Sequence, residues 1–182
     1  MSSSSPRCAV VAYPTLTDAD RDWIESVRAR HDPLADVIAA HVTLAFPAVA
    51  YPTAVVRDAA GAASTWGPVP FVIGAARAGS DAVNGGAHVF LVLDEGREVI
   101  AALHGRLYEG ALAPHRRPDI PFIPHITIAA HPDLAWCRDF ADNVNRTLPR
   151  MRGTLDALDV IVVGTGHVET LARLTLGATP QG

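Results

Sequence analysis

The sequence contains no lysine: all 15 basic residues among its 182 positions are arginine. Chemistry that depends on a lysine amine is thereby excluded, including Schiff-base enzymes, the phosphate-binding loop with its lysine, and ligases that form a lysyl-nucleotide. Cysteine is nearly absent as well. Cys8 and Cys137 stand far apart with no Cys-x-x-Cys pair, so neither a zinc ribbon nor a disulfide framework is expected, and both read as small core residues. Dense positive charge is missing, and the formal net charge of −4 argues against a long footprint on nucleic acid, which needs clustered basic residues. A nucleic-acid substrate would have to be short or held by its end. No apolar run approaches the roughly 20 residues of a membrane span, and the opening MSSSSPR lacks the apolar core of a signal peptide. The expectation is a cytoplasmic, reduced monomer with no membrane partner.

What is present is a chain of 49% hydrophobic and 19% charged residues, long enough for one sizeable domain but not for two ordinary ones. A disordered segment is expected over 1–7 and a single domain over 8–178. CAVVAY reads as a buried strand. Thr17 then caps DADRDWIESVRARH, a helix by its acidic first turn and the spacing of Trp23, Ile24 and Val27. A second helix is expected near 53–63. VPFVIGAARAG and GAHVFLVLD form a hairpin around SDAVNG, and REVIAALHGRLYEG is a helix that Gly110 would stop. A loop with four prolines follows, ALAPHRRPDIPFIP, then the helix DLAWCRDFADNVNRTL and the strands GTLDALDVIVVG and HVETLARLTLG. About seven strands and four helices without strict alternation fit an α+β fold, an antiparallel or mixed sheet with helices outside. The order strand, helix, strand, strand occurs in each half, which suggests a duplication.

Two stretches carry nearly the same phrase, HVTLAF at His41 to Phe46 and HITIAA at His125 to Ala130. At this composition, eight histidines would produce about 0.2 such phrases by chance. Two copies therefore call for a function. On a strand, positions i and i+2 share a face. His41 and Thr43 are expected on one side and Val42, Leu44 and Phe46 on the other, with His125 and Thr127 opposite Ile126 and Ile128 in the same way. Each phrase would be a core-anchored platform presenting one imidazole and one hydroxyl.

With these two His-x-Thr-x motifs, 84 residues apart, and the wording PHITI and HVTLAFP, the chain resembles the 2H phosphoesterases, among them RNA 2′,3′-cyclic phosphodiesterases and 2′-5′ RNA ligases. The resemblance implies two pseudo-symmetric lobes of antiparallel sheet with outer helices, one motif from each facing a central cleft. It implies that His41 and His125 are the catalytic pair and that Thr43 and Thr127 hold phosphoryl oxygens. The substrate would be an RNA end or small cyclic nucleotide, opened to a 2′-phosphate, and the ligase label describes the same chemistry reversed. The residue types agree: imidazole serves as acid or base near neutrality, and hydroxyls stabilise nonbridging oxygens. Neither phrase holds a carboxylate, so no metal or other cofactor is expected.

Further substrate contacts are sought in Arg116 and Arg117, in Phe122 and Tyr13 as stacking rings, and in His131 as a third cleft residue or metal ligand. Lone His88, His104 and His167 are taken as structural. Two rivals stay open. One is a non-catalytic binder of RNA ends or nucleotides, and the other is a metallohydrolase using His41, His125 and His131.

Overall fold

The computed structural model describes residues 6–81 and 85–177. Its elements in chain order are β1 (Arg7–Ala12), α1 (Asp18–His31), β2 (Val42–Val49), α2 (Pro52–Ala63), β3 (Val69–Ser80), β4 (Ala87–Glu95) and α3 (Arg97–Leu107). A 3-10 turn at Ala113–His115 is followed by β5 (His125–His131), α4 (Leu134–Asn145), β6 (Met151–Leu155), β7 (Ala157–Val163) and β8 (Val168–Thr175). Thr17 caps α1, its side chain accepting from the Asp20 amide, and Asp133 caps α4 in the same way through Ala135. β1 opens at Arg7, inside the segment expected to be disordered. Residues 1–5, 82–84 and 178–182 fall outside the described residues, and with them most of the segment expected to be disordered, part of SDAVNG and the expected domain end at 178.

All eight strands join one antiparallel sheet in the order β6-β3-β4-β5-β2-β1-β7-β8. The seam is narrow: β2 and β5 pair at Val42 and Ile126 alone. On either side lie four strands, which are the two lobes implied by the resemblance. They are not the two halves of the chain. β3, from the first half, pairs with β4 in the second lobe, while β7 crosses to pair with β1 in the first. The helices cross too, α1 packing on β5 and α3 on β2, with α2 behind β7 and β8 and α4 behind β3 and β4. The expected order of strand, helix, strand, strand, counted from the strand that carries each phrase, is present, and the main hydrophobic core draws on both halves of the chain, with a smaller cluster of Ala9, Val11, Ile38 and Ile161 apart from it.

Two local expectations change. GTLDALDVIVVG is two strands, because Asp156 separates β6, which pairs with β3 at one end of the sheet, from β7 near the other. Gly110 does not stop α3, which ends at Leu107. A Cβ there would overlap the Asp58 carboxylate, whose Oδ2 accepts the Ala111 amide at 2.7 Å. Gly110 is thus small for close approach rather than for helix termination.

The two phrases deviate from strict alternation at the same step. Val10 faces Ala45 and Val11 faces Thr43, so β2 carries an extra residue at Leu44. In β5, Val89 faces Ala129 and Phe90 faces Thr127, which puts the extra residue at Ile128. Leu44 and Ala45 are both fully buried, as are Ile128 and Ala129. Each bulge turns the following residue over, so Phe46 emerges on the same face as His41 and Thr43, not with Val42 and Leu44 as alternation alone predicts. Ala130 is its counterpart in β5.

Candidate functional site

Val42 opposite Ile126 fixes the register at the seam. One residue further each way, His41 falls across from Thr127 and Thr43 across from His125. Opposed Cβ atoms in an antiparallel pair are about 5 Å apart, and diagonal neighbours such as His41 and His125 about 7–8 Å. This register brings two hydroxyls and two imidazoles together at the seam. All four side chains line a single cleft of about 950 Å³.

The imidazoles are held alike. His41 lies immediately before β2 and its Nδ1 meets the Ala39 carbonyl at 2.8 Å; His125 opens β5 and its Nδ1 meets the Ile123 carbonyl at 2.6 Å. A carbonyl oxygen only accepts, so each Nδ1 carries the proton, and in the neutral ring Nε2 is the basic nitrogen. Burial pushes both groups below the ordinary imidazole range. At His41 the Ala39 carbonyl opposes this and Arg28 adds to it, with Asp32 and Glu25 acting the other way. At His125 the Ile123 carbonyl opposes it, and His41 and His88 add to it.

The Ala39 carbonyl is itself fixed by a buried ionic network. Arg28, 1% exposed on α1, donates from Nε to Asp32 at 2.9 Å, from Nη1 to Glu25 at 2.9 Å and from Nη2 to the Ile38 carbonyl at 2.8 Å. The other Glu25 oxygen accepts the Ala40 amide at 2.6 Å. Residues 38–40 are thus clamped from both sides, and they carry the group that orients His41.

Other predicted contacts divide. Arg116 and Arg117 line the cleft, although Arg117 is engaged bidentately by Asp119 at 3.0 and 2.8 Å. Tyr13 stands edge-on to His41 with ring centroids 6.3 Å apart, and burial, with Asp159 nearby, raises its hydroxyl above the ordinary tyrosine value. Phe122 does not line the cleft; it stacks on His104 at 3.8 Å, which in turn bonds the Leu44 carbonyl at 2.7 Å. His131 does not join His41 and His125 either. Its ring stacks on Trp136 at 4.5 Å and its Nδ1 accepts the Asp133 amide at 3.0 Å. Among the described residues no group of three or more His, Cys, Asp or Glu is arranged to hold a metal ion.

Sequence reasoning took His88 as structural and passed over Phe90. They share a face of β4 and both line the cleft, Phe90 lying 4.2 Å from His125 by ring centroids and His88 lying 3.8 Å from Asp81. Their alternation in AHVFLVLD was visible. That β4 would lie beside the second phrase was not.

A family model described as the 2′-5′ RNA ligase superfamily matches residues 16–167. The fold is similar to that of E. coli LigT in its apo form, with 20% identity, 97% of this chain and 100% of that chain covered, and a TM-score of 0.58. It is similar to E. coli LigT complexed with NADP+ at 22% identity, covering 95% and 99%, TM-score 0.55. It is also similar to Kluyveromyces marxianus Usb1 at 12% identity, covering 92% and 98%, TM-score 0.52. A comparison with curated protein sequences gives no match.

Proposed function

The chain belongs to the 2′-5′ RNA ligase superfamily, the 2H phosphoesterases, and from that premise we propose that it hydrolyses 2′,3′-cyclic phosphates of RNA ends or small nucleotides to 2′-phosphates. One observation carries the reading: two Nδ1-anchored imidazoles and two threonines meet across the β2–β5 seam and line one cleft. In-line displacement at phosphorus needs a base on the attacking water and an acid on the departing ribose 3′-oxygen, on opposite sides. One neutral imidazole takes the water proton through Nε2, and the other, protonated, gives its proton to the leaving oxygen. Thr43 and Thr127 donate to the nonbridging oxygens, where charge is stabilised in the transition state. A small nucleotide as ligand accords with E. coli LigT, whose structures include complexes with 3′-AMP and with ATP. No step calls on a metal, so full activity in EDTA is expected.

The test is turnover of a 2′,3′-cyclic nucleotide by the purified protein, with the product's phosphate position assigned by phosphorus NMR. A 2′-phosphate supports the proposal. Absence of turnover with tight binding would favour a non-catalytic binder, and condensation with a 5′-hydroxyl would reveal the reverse, ligating direction.

The pH dependence has a definite sign. Both imidazoles are pushed below about 6.5 in the free protein, and the productive form needs one of them protonated. As pH rises past that value the protonated partner is lost, so kcat/KM, which reports the free enzyme, should peak on the acid side of 6.5. The bound anion favours an imidazolium, so the optimum of kcat should lie higher. Rates measured from pH 5 to 9 check this; a kcat/KM optimum at pH 8 would contradict it.

A further inference from the structure

We infer that the cleft contains a second anion subsite, formed by Arg7 and Arg116 on either side of the exposed Phe46 ring, which takes the phosphodiester on the 5′ side of the terminal nucleotide. The inference rests on reading the His–Thr quartet as the seat of the cyclic phosphate. It assigns as substrate an oligonucleotide end rather than a mononucleotide.

The two ends of the cleft differ in their free charge. Beyond His41 and Thr127 the wall holds Arg28, Asp32, Asp81 and His88. These neighbour one another, Arg28 bonded to Asp32 and His88 lying beside Asp81. Beyond Thr43 and His125 the cleft runs along Phe46, Pro47 and Val49 of β2. Arg7 faces Val49 across the β1–β2 ladder and donates from Nη2 to the Pro47 carbonyl at 3.3 Å, which places it over this floor. The proline-rich loop forms the facing wall. It follows α3, whose end is tied to the same stretch of β2: the Tyr108 hydroxyl accepts the Phe46 amide at 2.9 Å, and His104, near enough to Arg116 to feel its charge, bonds the Leu44 carbonyl. Arg117 in that loop is paired with Asp119, whereas Arg7 and Arg116 have no acidic partner among the described residues.

The floor between these two arginines is apolar and open, Phe46 being 38% and Val49 53% exposed. The six steps of strand from Thr43 to Val49 span at most about 20 Å, more than a terminal nucleotide occupies. An aromatic ring offers a stacking surface for a base of any identity, and unpaired guanidiniums suit a phosphodiester. The corresponding place in β5 is Ala130, so the two sides of the seam differ here, and the chain of phosphates has one direction in which to leave the site.

The experiment compares kcat/KM at low salt for a dinucleotide ending in a 2′,3′-cyclic phosphate and for the mononucleotide cyclic phosphate. The proteins are the wild type, the Arg7→Ala/Arg116→Ala double variant, Phe46→Ala, and the remote Arg150→Ala as control. The wild type should prefer the dinucleotide by about tenfold, equivalent to about 1.4 kcal/mol. The preference should fall at least about threefold in the double variant, in Phe46→Ala and on raising salt, and persist in Arg150→Ala. Equal kcat/KM on both substrates in the wild type, or a preference the variants leave intact, overturns the subsite. A mononucleotide cyclic phosphate carrying a 5′-diphosphate that performs as well as the dinucleotide overturns the oligonucleotide assignment. Should no cyclic phosphate be turned over, the phosphodiesterase reading fails by itself. Calorimetric binding of a dinucleotide 3′-phosphate and a mononucleotide 3′-phosphate then decides the subsite, and equal Kd values sink it.

Discussion

Replacing His125 by alanine is expected to lower kcat on a 2′,3′-cyclic nucleotide by a factor of about 10²–10⁴, the usual weight of one general acid or base. The same holds for His41→Ala. The double variant should be scarcely worse than either single one, because water attack and leaving-group protonation occur in one displacement and losing either partner disables both. The folded state should survive, since each ring is half-buried at a cleft edge and the adjoining core positions, Val42 and Ile126, are untouched. Thermal melts alongside the kinetics separate the two effects. Thr43→Val and Thr127→Val keep shape and remove the donors, and each should cost about 10²–10³ in kcat. A His125→Ala protein that retains a tenth of the wild-type kcat would refute the two-histidine mechanism.

The second large effect is on stability. Arg28→Met should destabilise the fold by about 3–5 kcal/mol, because it leaves the carboxylates of Asp32 and Glu25 without their buried partner. For a chain of this size that is a fall in Tm of about 6–20 °C. Arg28→Lys keeps the charge but not the three-way fork that reaches Asp32, Glu25 and the Ile38 carbonyl together, and should recover only part of the loss. At temperatures where Arg28→Met is folded, kcat should still fall, since the clamp on residues 38–40 orients the carbonyl that holds His41, and small misplacements of a catalytic group are costly. KM should move less than kcat. An unchanged Tm together with unchanged kcat would show that the network neither supports the fold nor positions His41.

Much of this was legible in the chain because it is local. Thr17 before an acidic turn announces α1, and a His and a Thr two apart on a strand must share a face. The bulge was written in the sequence too, in the alanine that occupies the fifth place of both phrases, Ala45 and Ala129. Reading it needed knowledge of which strand lies alongside, since a bulge exists only relative to a partner. Hence Phe46 was assigned to the wrong face. His88 and Phe90 were missed for the same reason: β4 becomes a cleft wall only through its pairing with β5, more than thirty residues on. Phe122, chosen as an aromatic near the second motif, is engaged by His104 from a helix that sequence alone does not place. Glu25, Arg28 and Asp32 have helical spacing and look like a solvated charge face. What buries them is the chain's return through residues 33–41.

The exchange of β3 and β7 between lobes has a consequence best put in the language of assemblies. Cut the chain after β3 and its two parts stand to each other much as the protomers of a strand-swapped dimer about an approximate two-fold axis, the first lending β3 and α1 and the second lending β7, β8 and α3. The axis passes through the pair Val42–Ile126, so the site is an isologous interface to which each part gives one histidine and one threonine. Neither part could hold such a site alone. Covalent linkage of the two is what frees them to differ, one offering a ring at Phe46 where the other offers a methyl group at Ala130.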